Sequence, residues 1–316
     1  MPLGRIHDTD GALDELLNRY TAHDKTDIFR DVVEYDDRRK RELAAARQRK
    51  DRESAFTELN RIAADMRPLE ETEAGAIVDL YLSYRAVEAW DEMIALYGEM
   101  PRFLKQAVLV REQLAFALNR SAAADPPHPE YRERAISLLE EIVDEIGPSS
   151  ETGGLLGRVY KDRWQEALIA GNTSEAHRQL VRAIEAYSMG FKADWRDAFP
   201  GINAATLLDI EGSPESIATK DSFVPVVQFA VEQKIATGNA DYWDYATLLE
   251  LAILRNDEKA ANERLSQALA RVREAWEPKT TAANLSYIYD ARCQRGDDQS
   301  WLKAIIDGLR GKAGAG

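Results

Sequence analysis

Arg158, Lys161 and Asp162, within the stretch ETGGLLGRVYKDRW (residues 151–164), are the residues whose types and spacing come nearest to chemistry. Helix positions three and four apart share a face, so the two cations and the carboxylate gather on one side. A guanidinium forks oxyanions and an ammonium adds a point charge, a pairing suited to phosphate or carboxylate groups. Asn203 falls in the first turn of a helix opening Pro-Gly-Ile-Asn. Tyr242, Trp243 and Thr247 stand similarly in DYWDYAT, and Asn284 follows Lys279 and Thr281 in EPKTTAANL. Tyrosine and tryptophan rings offer faces on which a planar group stacks. Arg158, Lys161, Asp162, Asn203, Tyr242, Trp243, Thr247 and Asn284 are therefore the expected ligand-binding residues, and the ligand they suit is anionic and planar, such as a nucleotide. The structural reading of the same residues places Tyr and Trp in the core between repeats and lets Arg and Lys reach solvent along apolar stems.

Catalytic signatures are absent. The chain carries no Walker loop, no G-x-G-x-x-G after a strand, no G-x-S-x-G elbow and no H-E-x-x-H. His7, His23, His128 and His177 lack ligand spacing, so no metal is expected. No cofactor is expected either. The one cysteine, Cys293, reads as a small buried hydrophobe rather than a nucleophile. Asp162 and Glu250 are the carboxylates a hydrolase or transferase would use, but nothing in the sequence pairs them. The reading is of a protein that is not an enzyme.

The elements that position these residues are helices. Ala135, Leu139 and Ile142 are followed by Gly-Pro at Gly147, then by Leu156, Gly157 and Tyr160. A small residue with apolar residues four and seven later, a Gly-Pro stop and a Leu-Gly-x-x-Tyr opening make the tetratricopeptide register of about 34 residues. Ala89, Met93, Leu96 and Pro101 form a second copy, and Ala183, Tyr187 and Gly190 a weaker third. Their spacing is uneven. The expected fold is all-α, a degenerate, tetratricopeptide-like, right-handed helical-repeat array of roughly twelve to fourteen helices without a sheet. In such an array the first helix of each pair lines the concave face, and the polar residues above would meet in one groove. Gly157 costs its helix about 1 kcal/mol against alanine, a cost that makes sense where two helices cross closely. Asn172, Thr173 and Ser174 are expected to supply the cap of one helix and Asp241 that of another, and the helix containing EKAANERLSQALARVREAWE is expected to end before Pro278.

The segment RRKRELAAARQRKDR (residues 38–52) is strongly basic between acidic flanks, DELLNRY and DVVEYDD. It reads as one long solvated helix. The expected division is a charged helical region over 1–70, the array over 71–310 and a disordered tail over 311–316. With a formal charge of −14 and a pI near 4.9, binding to long nucleic acid is disfavoured. A single cysteine and the absence of any apolar run of spanning length point to a cytoplasmic protein without a membrane segment.

Three blocks carry a resemblance: Leu155 to Asp162 (LLGRVYKD), Tyr187 to Phe191 (YSMGF) and Pro200 to Leu208 (PGINAATLL). In this order they are similar to the TRAF-binding domain of apoptosis signal-regulating MAP kinase kinase kinases, over about Tyr131 to Asp290; residues 1 to about 70 carry no likeness of this kind. The resemblance implies a tetratricopeptide-like regulatory platform that binds protein partners and controls a neighbouring kinase. Stand-alone bacterial relatives are proposed as sensor modules of antiviral conflict systems that read an NAD-derived nucleotide. The implied partners are an effector or kinase-like chain and a nucleotide-derived small molecule. Carried onto this chain, the blocks mark Arg158, Lys161, Asp162 and Asn203 as groove residues and Tyr187 as the support of the Gly190 crossing. The alternative is a pure protein–protein scaffold with no small ligand.

Overall fold

Every regular element of the described residues, 37–124, 127–238 and 240–314, is helical in the computed structural model. The all-α helical-repeat array expected from the sequence is the architecture observed. The chain divides between residues 145 and 146 into two compact units.

The first unit holds α1 (Asp37–Arg47), α2 (Arg52–Asp65), α3 (Ala74–Ala86), α4 (Trp90–Glu99), α5 (Arg102–Gln106), α6 (Val108–Ser121) and nearly all of α7 (Pro129–Ile146). α3, AGAIVDLYLSYRA, is mostly apolar and nearly all of it is buried, with Asp79 and Ser83 as the buried polar exceptions. Leu43, Leu59, Ile62, Ile77, Tyr81 and Met93 form the core around it. The basic run is not one solvated helix. α1 ends at Arg47, and Asp51 starts α2 by accepting the Ser54 amide. Leu43 and Ala46 are buried, and the Arg47 guanidinium reaches inward to Asp79 and Ser83. The reason is amphipathic: ELAAAR carries an apolar stripe beneath its charges. The acidic flanks, apart from Asp37 at the start of α1, lie outside the described residues.

The second unit is a run of helical hairpins: α8 (Ser150–Ile169) with α9 (Thr173–Ala193), α10 (Ala198–Glu211) with α11 (Pro214–Ala236), α12 (Tyr242–Leu254) with α13 (Glu258–Leu269), and α14 (Trp276–Gln294) with α15 (Ser300–Gly314). Asn172 caps α9 by accepting from the Glu175 amide, and Asp241 with Asp244 forms a capping box on α12. The α8–α9 crossing needs bare backbone at two levels. A Cβ on Gly153 would stand 2.5 Å from the Gly190 Cα, and one on Gly157 would stand 2.5 Å from the Tyr187 ring. Tyr187 thus seats on Gly157, while Gly190 opposes Gly153.

Three local expectations change. Pro278 does not end a helix; α13 stops at Leu269 and Pro278 sits in the first turn of α14. A first-turn residue has no intrahelical amide bond to lose, so proline is tolerated there. Cys293 is exposed rather than buried, because Arg292 beside it takes the inward position on α14. α15 runs to Gly314, into the segment read as a tail. The described residues contain fifteen α-helices, the short α5 and the α1–α2 break adding to the expected number. α14 also packs against α10 and α12.

Candidate functional site

The first helix of each hairpin in the second unit carries one or more ionisable, amide or hydroxyl side chains among its apolar residues. α8 supplies Arg158, Lys161 and Asp162, α10 supplies Asn203 and Thr206, α12 supplies Glu250, and α14 supplies Asn284 and Tyr287. Lys161 joins three of these helices. Its Nζ donates to Asn203 Oδ1 at 3.1 Å and to Asn284 Oδ1 at 3.4 Å. Asn203 is oriented for this by its own Nδ2, which donates to the Phe199 carbonyl at 2.9 Å. The Thr206 hydroxyl donates to Glu250.

Lys161 is only 2% exposed. Burial first, and then the neighbouring charge of Arg158, lower its ammonium from the ordinary 10.5 to about 8; Glu250 and Asp162 act in the other direction. Burial raises the Glu250 carboxyl, against the Thr206 hydrogen bond and the Lys161 charge. Arg158 is held through Nε, 2.9 Å from Asp162 Oδ1 and 3.1 Å from Oδ2. Among the described residues its terminal nitrogens make no hydrogen bond. Its side chain retains 19% exposure, so this edge of the cluster meets solvent. Tyr187 lies behind, fully buried, its ring on Gly157 and edge-on to Phe199 at 6.0 Å. Its hydroxyl has no hydrogen-bond partner among the described residues. The charges that act on that hydroxyl are those of Arg158 and Asp162, while burial pushes its pKa well up.

The expected residues therefore separate. Arg158, Lys161, Asp162, Asn203 and Asn284 come together. Tyr242 does not join them: it is fully buried and its hydroxyl donates to Thr281 Oγ1 at 2.9 Å, a core role. Trp243 packs against Trp276 at 5.6 Å between ring centroids, and its indole nitrogen is buried without a partner among the described residues. Thr247 donates to the Trp243 carbonyl of its own helix. Trp243, Thr247 and Glu250 nevertheless follow one helical stripe, as do Trp276, Thr280 and Asn284. At 1.5 Å per residue the tryptophan pair lies about 10 Å along the helices from the Lys161 cluster.

Sequence reasoning missed Thr206, Tyr287 and the Tyr187 hydroxyl, and weighed Glu250 only as a catalytic carboxylate. The available signal was a lone ionisable residue in an apolar run, as in LLELAIL around Glu250. The same signal marks a second cluster. Asp209 in ATLLDIE is 2% exposed and accepts from Arg292 Nε at 2.9 Å and Nη2 at 3.0 Å and from Lys220 Nζ at 3.1 Å. Among the described residues no group of His, Cys, Asp or Glu is placed to hold a metal ion, and no helix is long and apolar enough to cross a membrane.

The sequence of the MAP3K TRAFs-binding domain family matches residues 10–307. The chain belongs to that family. The match reaches well into the N-terminal region, where the three motif blocks gave no likeness. Similar proteins include the mitogen-activated protein kinase kinase kinase nsy-1 of Caenorhabditis elegans, 30% identical over 66% of this chain and 14% of that protein. Mitogen-activated protein kinase kinase kinase 15 of Mus musculus is 25% identical over 86% of this chain and 20% of its own length. The Homo sapiens kinase kinase kinase 5 is 26% identical over 72% and 16% respectively. The chain thus spans a fifth or less of the curated relatives it matches. The family is a binding region within these kinases, not their catalytic domain.

Proposed function

We propose that this chain is a non-catalytic protein-interaction module of a cytoplasmic signalling system, whose shape is set by a small anionic, nucleotide-like ligand at the Lys161 cluster. The partner the family name suggests is a TRAF-type protein, and the kinase relatives suggest a kinase-like effector as the chain it controls. The observation that carries the ligand part is the convergence of Arg158, Lys161, Asn203 and Asn284 from three separate hairpins. A ligand touching all of them couples the positions of α8, α10 and α14. It shifts the array only as far as it binds one arrangement better than another. The Trp243–Trp276 pair, about 10 Å along the helices, supplies aromatic surface at a distance suited to the base of a nucleotide whose phosphate lies near Arg158. The resemblance to stand-alone bacterial relatives makes an NAD-derived nucleotide and an antiviral setting the first candidates.

One observation favours the pure scaffold. Lys161 is nearly inaccessible and already bonded to two asparagines, as a polar core group would be. Calorimetry separates the two readings, with NAD, ADP-ribose and cyclic nucleotides titrated into wild type and Arg158→Ala, alongside capture of a TRAF domain. Saturable heat that Arg158→Ala abolishes supports ligand control. Silence from every nucleotide with capture intact leaves the scaffold. Loss of both ends the proposal.

A further inference from the structure

The Lys161 cluster, from the part-exposed Arg158 inward to the buried Tyr187, has a surplus of one kind of group. Arg158 spends only Nε on Asp162, and its terminal nitrogens point no hydrogen bond at any described residue. Tyr187 holds a fully buried hydroxyl with no described partner. Lys161 stands one helical turn from Arg158 with two of its three protons committed. The unsatisfied groups are donors. The carboxylates nearby are already engaged, Asp162 by Arg158 and Glu250 by Thr206. A site whose open valences are donors takes an acceptor, and with two cations beside it the acceptor is charged.

We propose that this corner is an oxyanion seat, in which a phosphoryl or carboxylate group accepts from the terminal nitrogens of Arg158 and from the Tyr187 hydroxyl. This rests on the ligand reading above and narrows it to the group that makes first contact. The seat holds one oxyanion rather than a whole nucleotide, because Arg158 retains 19% side-chain exposure while Lys161 behind it retains 2% residue exposure. Anything larger extends from the seat along the solvent side. Tyr187 supplies the second, independent observation. Its ring is fixed by Gly157 and Phe199, and phenylalanine would fill that place equally well. An unpartnered buried hydroxyl costs stability, so a protein that only needed the ring would be better without the oxygen.

The test uses the full chain as wild type, Tyr187→Phe and Arg158→Lys. Melting temperature and calorimetry are recorded with inorganic phosphate and with acetate, against chloride at matched ionic strength. The two anions separate a phosphoryl from a carboxylate guest. Without anion, Tyr187→Phe melts at or above wild type. With phosphate or acetate, wild type shows a saturable rise in melting temperature, and Tyr187→Phe binds about tenfold more weakly, the order expected for losing one hydrogen bond to a charged group. Arg158→Lys keeps the charge, loses the fork and weakens binding as well. The seat is refuted by the absence of any saturable effect of either anion. It is equally refuted by unchanged affinity in Tyr187→Phe, or by destabilisation of that variant without anion, which would reveal a structural partner for the hydroxyl. Nucleotide binding by a protein blind to both anions would sink the seat while leaving the ligand reading standing.

Discussion

Removing one carboxylate, Asp209→Asn, is the perturbation whose cost the structure defines best. Asp209 sits in the last turn of α10, where the helix dipole disfavours a negative charge. It is buried because three cations surround it: Arg292 side-on, through Nε at 2.9 Å and Nη2 at 3.0 Å, Lys220 at 3.1 Å and Arg295 at 3.8 Å. Losing one partner of a buried pair usually costs ~3–5 kcal/mol, since the other charge stays desolvated and uncompensated. Here the stranded cations keep neutral acceptors. Lys220 Nζ donates to the Leu254 carbonyl at 3.2 Å, Arg292 Nη1 to Gln299 Oε1 at 3.4 Å, and Arg295 Nη1 to the Ile210 carbonyl at 3.2 Å. Two of these carbonyls end helices, where the dipole favours positive charge. The lower end of the range therefore applies, about 3 kcal/mol, or roughly 6–12 °C in melting temperature for a unit of this size. The assay is urea unfolding followed by circular dichroism, with a double-mutant cycle through Arg292→Ala. A coupling energy above about 1 kcal/mol marks the pair as interacting. An Asp209→Asn protein within about 1 kcal/mol of wild type, or costs that simply add in the cycle, would show that α14 is not clasped to α10 through this carboxylate.

The α8–α9 crossing predicts an order among glycines. Gly153→Ala and Gly157→Ala place a Cβ 2.5 Å from backbone or ring and lower stability by ~2 kcal/mol or more, while Gly154→Ala meets Phe199 at 3.3 Å and costs less; thermal melts of the three rank them. Lys161 gives a pH signature. Its folded pKa of about 8 lies below the unfolded 10.5, so between these values the unfolded chain binds the extra proton and stability rises with pH, by up to ~3 kcal/mol. Tyrosines with raised pKa values oppose the rise above pH ~10, so the slope is read from pH 8 to 10, and Lys161→Met flattens it. Asp241→Ala removes one half of the capping box on α12 and costs about 1 kcal/mol, measured by the shift of the urea midpoint at unchanged slope.

Legibility in the sequence followed a physical divide. Periodic apolar residues and caps are local, so the hairpins, the Asn172 and Asp241 caps and the need for bare backbone at Gly157 could all be read from neighbours in the chain. Pro278 and the basic run misled because each has two local meanings: proline both ends and begins helices, and ELAAAR is charged on one side and apolar on the other. The grouping of Arg158, Lys161, Asn203 and Asn284 was legible because each lies on the first helix of its hairpin. Tyr242 was not separable from Trp243, since adjacent helix positions face different ways and only the packing of α12 decides which ring is core. The packing of α14 against α10 was illegible for the same reason. It depends on Asp209 meeting Arg292 and Lys161 meeting Asn284, pairings between residues far apart in sequence that no local pattern encodes.

Those two pairings also show how a structural cluster differs from a candidate site built of the same residue types. Around Asp209 every Arg292 nitrogen has an acceptor, Lys220 has a carboxylate and a carbonyl, and Arg295 has a carbonyl; no buried polar atom there is left over. Such a set is complete, and adding a guest would break bonds already made. Around Lys161 the inner half is largely engaged, with two ammonium protons on the asparagines and the Thr206–Glu250 bond in place. The part around Arg158 and the buried Tyr187 is not, because the Arg158 fork and the Tyr187 hydroxyl find no described acceptor. Burying donors without acceptors costs free energy that a sequence selected only for stability could shed with one substitution, Tyr187→Phe. The incomplete edge, rather than the number of charges, is what makes the Lys161 cluster the place to look for a ligand.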